Sequence, residues 1–275
     1  MLHEIRIEFL KLLRKPRTYI GPMGMIVLIA LLSMAVKYGH EFEHMRDALS
    51  QEFFVAGSFV NAAFLTRYIL IPPVVLMFLP LFTCMVFGDL LASEAADGTL
   101  RMILCRPVKR ITVLSAKYVA GVAYSLALVL GAGIFAYLLG IALLGRGDLL
   151  NFTDGVCVFP ERSAILRLLE VYMLIAAGMV AIGSIAFAVS AFLGNSNGAV
   201  GGAVGIVIVS GILGHIEYFE RLRPFLLTTY LDIDRFFAVK LDAEMYRKSI
   251  LVMLAYAVLS FVVGAIAFCR RDVLT

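Results

Sequence analysis

Few side chains in this sequence stand at spacings that could do chemistry, and those few fall into three groups. His40 and His44, flanked by Glu41 and Glu43, would share one helix face and offer two nitrogens to a metal. Two ligands are too few to define a site, and a solvated polar helix accounts for the same residues, so no metal is expected. Arg67, Asp89, Arg167 and Glu170 lie in or beside apolar stretches, where ionisable groups often mark ion paths. All four fall toward the ends of those stretches, where a long side chain reaches the interface at little cost. Arg167 and Glu170, three apart, can also pair on one helix face. No ionisable residue sits mid-stretch as a proton relay requires. The third group is a polar, basic run from Glu94 to Arg110, set between two of the longest apolar stretches.

What is missing narrows the chemistry further. The sequence has no Gly-x-x-x-x-Gly-Lys-Ser/Thr phosphate loop, no Gly-x-Ser-x-Gly elbow and no His-Glu-x-x-His pair. No catalytic residue is assigned, and the chain is not read as an enzyme. Its four cysteines, Cys84, Cys105, Cys157 and Cys269, are scattered and form no Cys-x-x-Cys pair, which argues against thiol redox chemistry.

The elements that must position these residues are membrane helices. The 275 residues are 61% hydrophobic and only 16% charged, whereas a soluble domain carries about a quarter charged residues. Several apolar runs exceed the roughly 18 residues that cross a bilayer as a helix. Because they are unbroken rather than alternating, they predict helices and not a β-barrel. The expectation is one all-α integral membrane domain. Its spans are placed at about 19–36, 62–91, 118–144, 164–193, 199–214 and 250–268. The second holds Pro72, Pro73 and Pro80, which predict a kinked, tilted or projecting helix.

Ahead of the first span, Leu2, Ile5, Phe9, Leu12 and Leu13 recur at helical spacing, with Glu4, Arg6, Glu8, Lys11 and Arg14 on the remaining face. That pattern predicts an interfacial helix lying on the membrane, ended by Pro16. Basic residues set the orientation. With the amino terminus inside, the inner segments hold five from Arg6 to Arg17, then Arg101, Arg106, Lys109, Arg110 and Lys117, then Arg270 and Arg271. Both termini are therefore expected in the cytoplasm, and the net charge of +4 is assigned to topology with no need for nucleic acid. The outer segment 215–249 departs from the rule, with six basic residues beside six acids.

Within the 92–117 connector, Gly98 permits a sharp turn, Thr99 can cap a short helix carrying Leu100, Ile103 and Leu104, and Pro107 ends it. These residues alone support two readings equally: an ordinary positive-inside loop, or an element on which another protein docks. In the fifth span, Gly201-x-x-x-Gly205, with Gly198 and Gly202, offers a smooth face for helix packing within the chain or between subunits.

The order Glu94-x-x-x-Gly98-Thr99-Leu100-x-x-Ile103-Leu104-x-x-Pro107-Val108-x-Arg110, followed by Lys117, resembles the signature of the ABC type-2 permease family. The resemblance extends to the basic amphipathic amino-terminal helix, six spans, a long polar segment before the last span and a closing Arg-Arg-Asp. It implies a permease subunit, an exporter in the plasma membrane of a bacterium or archaeon. Two such chains, as a homodimer or heterodimer, would pair with separately encoded ATPase subunits, which would bind the ATP and magnesium. No cofactor is expected in this chain.

The resemblance further implies that Glu94, Asp97, Gly98, Thr99, Leu100, Ile103, Leu104 and Pro107 form a coupling helix for the ATPase. It implies that the first and fifth spans line the dimer interface, and that 215–249 is an outer re-entrant element. The six basic residues there suit a surface lid instead. An alternative from a different class is a membrane scaffold or receptor that uses the same ATPase for signalling or cofactor maturation. Substrate-binding residues are not assigned; the apolar helices suit lipids, hydrophobic peptides or drugs.

Overall fold

The computed structural model describes residues 2–39, 60–96, 110–152, 157–193, 195–216, 218, 221, 223, 225–237 and 243–270. Helix α1 (Leu2–Arg14) leads through Lys15 into α2 (Pro16–Tyr38), whose first position is a proline that has no N–H to leave unsatisfied. Next comes α3, a continuous helical run over 62–96. Helices α4 (Arg110–Leu144), α5 (Glu161–Leu193), α6 (Ser196–His215) and α7 (Ala243–Arg270) follow. Helices α2, α4, α5, α6 and α7 are long and apolar enough to cross a membrane, and the chain is built as a multi-pass membrane protein. These helices run past the stretches expected from hydropathy. α4, for example, starts at Arg110, within the expected connector, because backbone hydrogen bonding continues into polar sequence that hydropathy does not count.

Helix α3 carries the expected proline distortion in a specific form. Its α-helical turns Ala62–Phe64, Ile71–Pro73 and Leu79–Ala96 are separated by π-helical Leu65–Leu70 and Val74–Phe78. Pro72 and Pro73 offer no N–H to the carbonyls four residues back, and the run ahead of them is wound in the wider register. The N–H of Ile71, for instance, bonds the carbonyl of Thr66, five residues back. Asn61 starts the run, its side-chain oxygen accepting from the N–H groups of Ala63 and Phe64 at 3.1 and 3.0 Å.

Helix α5 is the centre of the bundle. Within its apolar window 78% of residues are buried, against 11% in α6, and it packs most extensively on α7 and α3. Small residues make the close approach possible: a Cβ at Gly183 of α5 would lie 2.5 Å from the Phe87 ring of α3. With little hydrophobic drive between helices in lipid, such contacts and interhelical hydrogen bonds hold the bundle. Ser190 donates to the carbonyl of Gly88 at 2.7 Å, and the hydroxyls of Ser184 and Tyr118 meet at 2.8 Å.

The bundle has two distinct ends. At one, α1 packs on the start of α4, held by Glu8 and Lys117. At the other, the 145–163 loop forms an unanticipated hairpin, β1 (Leu149–Asn151) with β2 (Cys157–Phe159), antiparallel with Leu150 opposite Val158. There too lie 3-10 turns Leu227–Leu231 and Ile233–Phe237, whose Leu227, Tyr230, Phe236 and Phe237 are buried.

Candidate functional site

Of the residues expected to form a coupling helix, Asp97, Gly98, Thr99, Leu100, Ile103, Leu104 and Pro107 lie outside the described residues, as do His40 and His44. Glu94 falls in the last turn of α3. What the structure does describe is how both flanks of that segment are anchored, since α3 ends just before it and α4 starts just after it.

The anchor is a charged cluster under α1. Lys117 of α4 donates to Glu8 of α1 at 2.9 Å, and Lys11 donates to the other carboxylate oxygen at 2.8 Å. Glu8 and Lys117 are both buried. Glu8 was expected on the polar face of an interfacial helix; instead it turns inward, because a buried ammonium on α4 needs an opposite charge there. The two charge-assisted bonds to Glu8 fix α1 by electrostatics as well as by burial of Leu12.

A second ion pair stands one step away. Arg17, at the start of α2, bonds both carboxylate oxygens of Asp89 on α3, at 3.3 and 3.2 Å. Ser196, the first residue of α6, also donates to Asp89. Lys15 donates to Ser93 at 2.8 Å, and Ser93 to the carbonyl of Asp89 at 2.5 Å. Asp89 is itself buried, so its charge is met by partners within the bundle and not by solvent. One carboxylate thus joins α2, α3 and α6. A pocket between the two ion pairs is lined by Glu8, Lys11, Lys15, Arg17, Asp89 and Lys117 among others.

The opposite end carries a third pairing. Arg67, also expected to snorkel, is 2% exposed, bonds Asp234 at 2.5 Å and stacks 3.9 Å above the Phe237 ring. Asn151 of the hairpin donates to the carbonyl of Phe237 at 2.7 Å and accepts from Tyr68 at 3.0 Å. The start of α3, the hairpin and the 3-10 turns therefore share one polar network. Arg167 and Glu170 lie 3.9 Å apart, facing each other as their spacing suggested but beyond hydrogen-bond reach.

The glycines of α6 divide. Gly202 packs toward Val189 of α5 and Gly198 against the capping Asn195, whereas Gly201 and Gly205 have no atom within 4 Å of where a Cβ would be. Among the described residues, nothing packs on their face of α6. None of the sequence reasoning joined Glu8 to Lys117 or Arg17 to Asp89. The available signal was that all four charges flank apolar stretches on one expected side.

The comparisons place the chain in a family without assigning it an activity. It is similar to "Uncharacterized protein YhcI" of Bacillus subtilis (strain 168), at 26% identity over 203 residues. That match covers 70% of this chain and 64% of the relative, so less than two thirds of the relative's length is spanned. The family described as "Protein of unknown function (DUF2705)" matches residues 26–274, nearly the whole sequence, and the chain belongs to that family.

Proposed function

We propose that the chain is the membrane subunit of an ABC-type exporter, driven by an ATPase encoded separately. In this reading α2 to α7 are six crossings, both termini face the cytoplasm, and the ATPase grips Glu94 to Pro107 within the 92–117 segment. The observation that carries the mechanism is the double anchorage of that segment's flanks. The end of α3 is tied through Asp89 to Arg17 and Ser196, and the start of α4 through Lys117 to Glu8. A push on the segment would move α3 and α4 together with α1, α2 and α6 rather than bend one loop. That Gly201 and Gly205 of α6 meet no neighbour among the described residues supports pairing with a second copy.

The test is co-expression with a candidate ABC ATPase subunit, sought first among the neighbouring genes, followed by reconstitution into vesicles. The complex is expected to hydrolyse ATP, the purified chain alone to be inactive, and Gly98→Pro to assemble poorly or to uncouple hydrolysis from transport. Normal assembly and transport after deletion of 94–104 would overturn the reading. Hydrolysis without movement of any lipid, peptide or drug substrate would favour the scaffold or receptor role.

A further inference from the structure

A groove of about 340 Å³ runs between α1, α2 and α4. Its floor is the buried Met25, Ile29, Tyr124 and Leu128, and its mouth is rimmed by the exposed Leu13 and Tyr19. The volume is more than twice the roughly 150 Å³ of a dry cavity that accepts benzene. Along α2 the lining runs from Tyr19 to Ile29, which at about 1.5 Å per residue is about 15 Å. That is the depth of one leaflet of a roughly 30 Å hydrocarbon core. The groove starts beneath α1, the amphipathic helix, so its upper end lies at the interface.

At that end the groove meets the charged pocket, with which it shares Leu12 and Thr18. Lys11, Lys15, Arg17 and Lys117 against Glu8 and Asp89 leave the pocket two charges positive. The hydrogen bond of Lys15 goes to the neutral hydroxyl of Ser93, which leaves its charge available to an anion. A neighbouring opening, lined by Lys15, Arg17, Asp89 and Ser93, exposes that pocket at the surface of the bundle. An apolar slot one leaflet deep that ends on a basic, surface-accessible pocket matches an amphiphile with an anionic head.

We propose that this groove binds one diacyl phospholipid with an anionic headgroup, part of one of its two acyl chains between α2 and α4 and its phosphate by Lys15 and Arg17. The lipid would fill the gap left where α1 crosses the bundle and would hold α1 in place. The proposal is independent of what the protein transports.

The experiment uses the full chain in mild detergent, with dioleoyl phosphatidylglycerol and dioleoyl phosphatidylcholine as probes. Retention is followed by native mass spectrometry and stabilisation by thermal unfolding. Phosphatidylglycerol is expected to be retained as one molecule, at least tenfold more tightly than phosphatidylcholine, and to raise the unfolding temperature by several degrees; inorganic phosphate alone is expected to do nothing. Gly131→Leu points into the groove where no atom lies within 4 Å, and should abolish retention and stabilisation. Lys15→Gln with Arg17→Gln should reduce the preference to the phosphatidylcholine level. A photoactivatable acyl chain on the wild-type protein should label peptides 19–29 and 123–135, a readout needing no variant. Equal retention of both lipids, stabilisation by phosphate alone, or labelling elsewhere would overturn the proposal. Efficient disulfide cross-linking of Ala127→Cys between two copies would assign the groove to a second chain and also overturn it.

Discussion

Lys117 and Glu8 stand 109 positions apart in sequence and 2.9 Å apart in space, their side chains 1% and 7% exposed. A buried pair of this kind specifies how two elements dock more than it stabilises them, because desolvation offsets most of the attraction. Breaking one partner is a different matter. Lys117→Met leaves the Glu8 carboxylate facing an apolar contact, with Lys11 its nearest cation, and should cost about 3–5 kcal/mol. The double variant Glu8→Leu with Lys117→Met should recover most of that loss, since Lys11 is partly exposed and reaches solvent. Thermal unfolding in detergent reads both. A double variant no more stable than the sum of the singles would show that the pair is not what fixes α1.

At the other end, the partners of Arg67 differ in exposure, and this ranks them. Asp234 is 73% exposed, so Asp234→Asn should cost less than about 1 kcal/mol. Phe237 is fully buried under the guanidinium, where a desolvated cation–π contact is worth about 2 kcal/mol. Phe237→Leu should therefore destabilise more than Asp234→Asn, and Arg67→Lys should not substitute, because the planar stacking is lost. The reverse order in thermal unfolding would mean that the ion pair governs this end.

Asn61 and Asn195 both cap helices, and the structure separates their weights. Asn61 is buried, caps two N–H groups and also donates to the carbonyl of Asp148 at 2.7 Å. Asn195 is exposed and caps one, Gly198. Asn61→Ala should cost about 2 kcal/mol, the upper end of the capping range, and Asn195→Ala about 0.5. Equal losses would show that Asn61 contributes only as a cap.

The helices were legible because an apolar run of bilayer length has few other structures open to it. Pro72 and Pro73 announced distortion in α3, though periodicity does not say that it takes the form of π turns. The charges were read less well. Taken singly, Arg67 and Asp89 each sit near the end of an apolar stretch, and snorkelling is the cheap solution for an isolated charge. Their partners, Asp234 and Arg17, are distant in sequence, and a pairing between elements leaves no periodic mark. The hairpin at Leu149–Phe159 was invisible for another reason: strands of three residues carry too few positions to show alternation.

Gly183 and Gly201 differ in what surrounds them. Gly183 faces the Phe87 ring, where an added Cβ would sit at 2.5 Å, so Gly183→Ala should cost about 1–3 kcal/mol through overpacking between α5 and α3. Gly201 faces open space on α6, and Gly201→Ala should leave the single chain unchanged or more stable by up to about 1 kcal/mol, because alanine restricts the unfolded backbone. If that face pairs with a second copy, Gly201→Leu should lower the dimer fraction in light scattering while leaving the unfolding of the monomer unaffected. A dimer fraction unchanged by Gly201→Leu and Gly205→Leu together would remove α6 from the interface. A monomer destabilised by Gly201→Ala would show instead that the face packs within its own chain.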